Sequence, residues 1–151
     1  MLNSKRSKKT LVIRNKGRIT AVRPINIAND LSWNYGEDVI VYNARDKTPY
    51  VSYYIVASAS NDRRLQALES TAKQSLYDNY HEIDHVEGKN DSKWILIDAK
   101  DIVIQLFTKE ERNRVRFDEL YLNNPHKVVK ALKEPKYRKR KPVESQIQTN
   151  E

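Results

Sequence analysis

The sequence predicts an α+β domain: a small mixed β-sheet with helices packed on it. Three observations carry that expectation. Short runs rich in β-branched and aromatic residues stand at 38–43 (DVIVYN), at 52–58 (SYYIVAS) and on both sides of Ala99 and Lys100. A stretch with leucines at helical spacing follows the second run, and a capped helical segment follows the last. The order strand, strand, helix, strand, strand, helix is that of an α+β domain.

Taken in order, residues 1–24 are basic and without a clear period, and they predict a flexible arm. The folded domain is expected over 25–121 and a basic C-terminal tail over 122–151. Residues 25–33 suit a short helix. Arg45 to Pro49 form a turn between the first two strands, and the nearly unbroken apolar centre of 52–58 suits a buried strand. Ser60, Asn61 and Asp62 are N-cap residue types, and Leu65, Leu68, Ala72 and Leu76 give the helix that follows one apolar stripe to about Tyr77. Residues 78–93 read as polar loop. The run 94–107 (WILIDAKDIVIQLF) is the clearest element, two apolar strands around a two-residue loop at Ala99 and Lys100. Thr108 with Glu111 forms a capping box, and Asn124 with Pro125 can start a last short helix through Leu132.

Charge is unevenly spread. The chain of 151 residues carries a net +8. Residues 1–29 hold eight bases and no acid, and residues 121–151 hold eight bases against three acids, so the middle is acidic. Basic ends of this kind seek a polyanion. Lys5, Arg6, Lys8 and Lys9 at one end, and Lys136, Arg138, Lys139, Arg140 and Lys141 at the other, are the candidate phosphate contacts. The acid-free start also fits a mitochondrial presequence, although lysine is as common there as arginine and serine is sparse. There is no cysteine, which excludes disulfides, and no apolar run of membrane-spanning length.

Alternation divides the hairpin into two faces. Ile95, Ile97, Ile102, Ile104 and Leu106 make a wholly aliphatic core face. With a loop at Ala99 and Lys100, Asp98 stands opposite Asp101, and the other face collects Trp94, Leu96, Val103, Gln105 and Phe107 beside the two aspartates. Aromatic anchors mixed with charges suit a protein–protein contact. An equally open reading has Trp94 merely covering a helix while the aspartates favour the turn. The aspartate pair does not suggest catalysis: with three glycines in the chain no phosphate-cradling loop precedes it, and no third acidic ligand stands at fixed spacing. His81 and His85, four apart in a polar loop, read as solvated rather than as a metal site.

The stretch 86–121 (VEGKNDSKWILIDAKDIVIQLFTKEERNRVRFDELY) resembles the C-terminal half of the ribosomal silencing factor (RsfS, or Iojap-like) family. The pattern is carried by Glu87 and Gly88, Trp94 opening a strand, Asp98 and Asp101 at a hairpin, then Asp118, Leu120 and Tyr121. Upstream, 52–58 and 61–68 (NDRRLQAL), with Arg63 at the usual arginine, extend the likeness to about 37–121. The chain departs from the pattern at Ser52 for an aspartate, Lys100 for the hairpin glycine, Gln105 for a histidine and Tyr121 for a tryptophan.

The resemblance implies a nucleotidyltransferase-like domain without the transferase active site, hence no catalysis, cofactor, metal or small-molecule substrate. It implies docking on the fourteenth ribosomal protein of the large subunit, which blocks joining of the small subunit and represses translation. Trp94, Asp98, Asp101, Val103, Gln105, Asp118, Leu120 and Tyr121 are the expected contacts, with the basic tails on ribosomal RNA. The expected location is the bacterial cytoplasm, or else the mitochondrial matrix. A large-subunit assembly factor that binds RNA through its basic tails is the alternative, and a remnant nucleotidyltransferase a third.

Overall fold

The computed structural model describes residues 19–88 and 91–131. Helix α1 (Val22–Trp33) is followed by strands β1 (Glu37–Asn43) and β2 (Tyr53–Ala59) and by helix α2 (Asp62–Asp78). Strands β3 (His85–Glu87), β4 (Trp94–Ala99) and β5 (Ile102–Thr108) come next, then helix α3 (Lys109–Val115), a 3-10 turn (Phe117–Leu120) and strand β6 (His126–Val128). The strands form one sheet in the order β3-β4-β5-β2-β1-β6. Only β2 and β5 are parallel; every other neighbouring pair is antiparallel. The expected mixed sheet is present. Its centre is β2, whose Ile55, Val56 and Ala57 are fully buried.

Helices α1 and α2 cover one face. Ile27, Ala28 and Leu31 of α1, with Leu65, Leu68, Ala72 and Leu76 of α2, meet the aliphatic side of the hairpin: Ile95, Ile97, Ile102, Ile104 and Leu106. The Ser75 hydroxyl donates to Asp30 at 2.6 Å and ties the two helices together inside this layer. Asn61 caps α2, its Oδ1 accepting from the Arg64 amide, and Thr108 caps α3, its Oγ1 accepting from the Glu111 amide.

The structure departs from the sequence expectation at four places. The fold starts before residue 25: Ile19 is buried in the core and α1 begins at Val22, so the end of the expected arm is part of the domain. Pro24 is tolerated because it lies in the first turn, where its missing N–H has no helical acceptor. The fold also continues past 121. The helix expected from Asn124 is an edge strand; the Asn124 side-chain amide donates to the Asn43 carbonyl and to Asp46 Oδ1, and Val129 is buried. Pairing with β1 overrides the local capping signal. The polar loop contains β3, an edge strand whose one apolar residue is Val86.

The hairpin register is also shifted. The loop is Lys100 and Asp101, because burial of Ala99 against Ile102 adds one more pair to the ladder. Asp98 therefore pairs with Val103, Leu96 with Gln105 and Trp94 with Phe107. The division into two faces survives the shift, but Asp101 leaves the strand. Lys100 takes the left-handed backbone (φ 65) usually given to glycine.

Ile97 is fully buried in the helix-covered layer. Ile97→Ala should lower unfolding free energy by about 2–5 kcal/mol, read from urea titration.

Candidate protein-interaction face

The face of the sheet turned away from α1 and α2 is organised in rows by the strand registers. One row runs His85, Asp98, Val103, Tyr54, Tyr42 and His126; the next runs Glu87, Leu96, Gln105, Val56, Ile40 and Val128; a third holds Trp94, Phe107 and Ser58. Over the middle of these rows lies a lid made by α3, the 3-10 turn and Tyr121. Phe117 meets Tyr54 edge-on at 4.9 Å between ring centroids, and Tyr121 lies 5.2 Å from Tyr54. Burial, then the neighbouring Tyr121 and the Asp98 charge, push the Tyr54 hydroxyl up to about 12.

One buried cation locks this lid. Arg112 Nε and Nη2 donate to the two oxygens of Asp118 at 2.8 and 3.0 Å, and Nη1 donates to the Asp38 carbonyl at 2.8 Å and to Ser58 Oγ at 2.9 Å. The Asp38 carbonyl is within reach because β1 bulges there, with Asp38 at φ 49. The Tyr42 hydroxyl donates to Asp118 at 2.5 Å. Burial alone would raise the Asp118 carboxyl; the bonds from Arg112 and Tyr42 outweigh it and hold the group below its ordinary range. An open cleft of about 710 Å³ borders this network, lined by Asp38, Ser58, Arg112, Asn113, Arg116 and Asp118 among others. Its central polar groups are bonded to each other, as a structural network requires.

The predicted contact residues, with Leu96 beside them, separate into four groups. Trp94, Leu96 and Asp98 form a half-exposed strip on β4, and Leu120 is exposed at the end of the lid. Val103, Gln105 and Tyr121 are buried and support the surface from beneath. The Gln105 carbonyl accepts from Trp94 Nε1 at 3.0 Å, and the Trp94 ring stacks on Phe107 at 5.1 Å. Trp94 thus packs on its own sheet rather than on a helix. Asp118 belongs to the Arg112 lock. Asp101 is not beside Asp98: it sits at the hairpin tip, 3.5 Å from His81 Nε2. Its neighbours there, Arg23, Tyr53 and Asn79, are on the helix side. Asp98 instead has His85 Nδ1 at 3.8 Å.

His81, read from sequence as solvated, is a structural residue. Arg23 donates to its Nδ1, so Nε2 carries the proton and donates to the Ala99 carbonyl at 2.6 Å. Among the described residues no group of three or more His, Asp or Glu is placed to hold a metal ion. None of their helices is long and apolar enough to cross a membrane. The basic tail positions Lys5, Arg6, Lys8, Lys9, Lys136, Arg138, Lys139, Arg140 and Lys141 lie outside the described residues.

Sequence reasoning missed Arg112, Tyr42, Tyr54 and Phe117. The Arg112–Asp118 pair spans six residues across a helix end turned by Arg116 at φ 61, so no i,i+4 rule reveals it. Arg112→Ala should cost about 3–5 kcal/mol, because it strands a half-buried carboxylate. The depressed Asp118 group stabilises the fold above its unfolded value of about 3.9, and that stability is lost as pH falls through the lower folded value. Urea unfolding at a series of acid pH values should therefore show a shallower pH dependence in Asp118→Asn than in the unsubstituted chain.

Comparison with known proteins agrees with this architecture. A family model described as ribosomal silencing factor during starvation matches residues 21–151. The ribosomal silencing factor RsfS of Bacillus subtilis is 24% identical over 89 residues, 59% of this chain and 75% of that protein. The protein of the same name from Halalkalibacterium halodurans is 25% identical over 89 residues, 59% of this chain and 76% of its own. A crystal structure of a Chromobacterium violaceum protein superposes with a TM-score of 0.63 at 20% identity, covering 77% of this chain and 96% of that one. A Bacillus halodurans protein superposes with a TM-score of 0.59 at 22% identity, covering 69% and 94%. These two share the fold. With the family model matching most of its length, this chain belongs to the ribosomal silencing factor family.

Proposed function

We propose that the protein represses translation by binding the large ribosomal subunit, through its fourteenth ribosomal protein, and sterically blocking the small subunit, with no catalysis of its own. The observation that carries this reading is the family match over residues 21–151. The half-exposed strip of Trp94, Leu96 and Asp98 supports it: an aromatic and an aliphatic anchor stand beside a carboxylate suited to a basic partner. Leu120 extends the strip, Gln105 and Phe107 fix the Trp94 ring, and the Arg112–Asp118 lock holds the lid. Asp101 has no part in this face. The basic ends add contacts to ribosomal RNA. We place it in the cytoplasm, a reading supported by the bacterial origin of the named relatives.

The alternative, an assembly factor bound mainly through its basic ends, is favoured by one observation, the eight bases without an acid in residues 1–29. Tail-driven binding would weaken steeply with salt, and an anchored protein interface less so.

Sedimentation of separated subunits tests the first reading. The protein should co-sediment with the large subunit and reduce assembled ribosomes; co-sedimentation with the small subunit alone overturns it. Asp98→Lys should abolish the co-sedimentation with the thermal midpoint unchanged, while Asp101→Lys should bind normally. Trp94→Ala should weaken binding by at least about 2 kcal/mol. If Asp98→Lys binds as well as the unsubstituted chain, the contact lies elsewhere.

A further inference from the structure

The strip on β4 has a titratable neighbour. Strand β3 is outermost on that side and pairs antiparallel with β4, His85 beside Asp98 and Glu87 beside Leu96. Alternation turns Val86 toward the helix-covered core, so His85 and Glu87 stand on the same face as the strip. Both ends of this short strand are tied to β4. The Asp84 amide donates to the Asp98 carbonyl at 2.7 Å. At the other end Gly88, at φ 94, comes so close that a Cβ would stand 2.4 Å from the Trp94 carbonyl oxygen. The backbone that carries His85 is thereby fixed against the strip.

The His85 ring stands between two carboxylates. Its Nε2 donates to Glu87 at 2.9 Å, and its Nδ1 is 3.8 Å from Asp98 Oδ2. An imidazole can serve both only when both nitrogens carry protons. In the neutral ring with its proton on Nε2, the Nδ1 lone pair is turned toward the Asp98 charge. The Glu87 hydrogen bond raises the His85 imidazole above its ordinary value; desolvation opposes it, and the charges of Asp98, Glu87 and Asp84 add to it. Asp84, just before β3, is held by Lys100 of the hairpin tip at 2.8 Å, and Lys100 also feels the charges of Glu82 and Asp98. Among the described residues, His85 is the ion-pair partner of both Glu87 and Asp98. His81 lies on the helix side and His126 on β6 at the opposite edge of the sheet, away from the strip.

We propose that His85 gates the docking strip by pH. As an imidazolium it occupies Asp98 and Glu87, the carboxylates that lysines or arginines of a basic partner would take; as a neutral ring it releases them. The gate rests on the docking reading above and supplies that contact with a regulation. Its sign follows from charge. Below the raised value of the imidazole, the ring adds a positive charge to the strip and repels a basic partner. Above it the two carboxylates are free, and they stay ionised throughout. Docking a base beside Asp98 expels the ring proton, so affinity rises with pH, by at most about tenfold per pH unit for one proton. The change falls above about 6.5, the ordinary value of histidine.

The test is co-sedimentation of the full chain with purified large subunits from about pH 6 to about pH 8.5. Affinity of the unsubstituted chain should rise by about fivefold or more across that range. His85→Gln, neutral throughout, should bind at the acid end as the unsubstituted chain binds at the alkaline end, with a flatter profile. His85→Lys, cationic throughout, should bind weakly at every pH with its thermal midpoint unchanged. Proton NMR of the free chain gives a reading that needs no ribosome: the His85 ring should titrate above its ordinary value and fall toward it in Glu87→Gln. If the unsubstituted chain binds at no pH, the docking reading fails and the gate falls with it. If the chain binds but His85→Gln keeps the pH slope, or His85→Lys binds like the unsubstituted chain, docking stands and the gate alone is overturned. A His85 ring that titrates at or below its ordinary value overturns the gate as well.

Discussion

A guanidinium cannot shed its charge, so burying Arg112 obliges the fold to surround it with acceptors. It meets that obligation from three directions: the Asp118 carboxylate in the 3-10 turn, the Ser58 hydroxyl at the end of β2, and the Asp38 carbonyl at the β1 bulge. Each of these would otherwise be set locally. The bulge turns the Asp38 carbonyl toward Arg112, the left-handed Arg116 turns the chain back over the sheet, and Asp118 then also accepts from Tyr42. Such a network adds less to stability than its number of bonds suggests, because desolvation offsets much of the attraction. What it fixes is position. Phe117 and Tyr121 lie on Tyr54 because the segment carrying them is anchored at Asp118.

The exposed strip on β4 follows from where that lid stops. On the helix side, α1 and α2 cover the sheet from β4 to β1. On the other side the lid is short, a seven-residue helix and one 3-10 turn, and it covers the rows at β1, β2 and β5. Beyond it, β4 has for an outer neighbour only the three-residue β3, with His85 and Glu87 on the same face. Trp94 and Leu96 therefore stay half-exposed although their strand is not at the edge of the sheet. Trp94 is held rigidly enough to act as an anchor, its ring on Phe107 and its N–H on Gln105. A preorganised aromatic loses little freedom on docking.

The long, strongly patterned elements were legible in the sequence. Leucine spacing marked α2, alternation marked both faces of the β4–β5 hairpin, and Thr108 marked the start of α3. Short edge strands were not legible, because β3 and β6 have three residues each and owe their conformation to the neighbouring strand. The hairpin register was misplaced by one pair, since periodicity fixes which face a residue takes but not where the turn closes. That one pair moved Asp101 from the candidate face to the hairpin tip while leaving Asp98 in place. Of the candidate site, the strip itself was visible as a mixture of aromatic and charged residues. The burial of Val103, Gln105 and Tyr121 was not, because it depends on a lid that no local pattern announces.

Charge pairing on the body gives the two ends their importance. Lys73, Lys93, Lys100, Lys109, Arg114 and Arg116 each hold a carboxylate within 3 Å. Exposed pairs of this kind contribute little to stability. They do cancel one another's fields, so the middle of the chain presents little positive potential despite its many bases. The eight bases of residues 1–29, by contrast, face no acid in their own segment. The arrangement separates two kinds of contact on one small domain. A carboxylate with apolar anchors on the lidded face suits a basic protein, while the basic ends suit phosphate. A ribosomal surface, where basic proteins sit against RNA, offers both within the span of a domain this size.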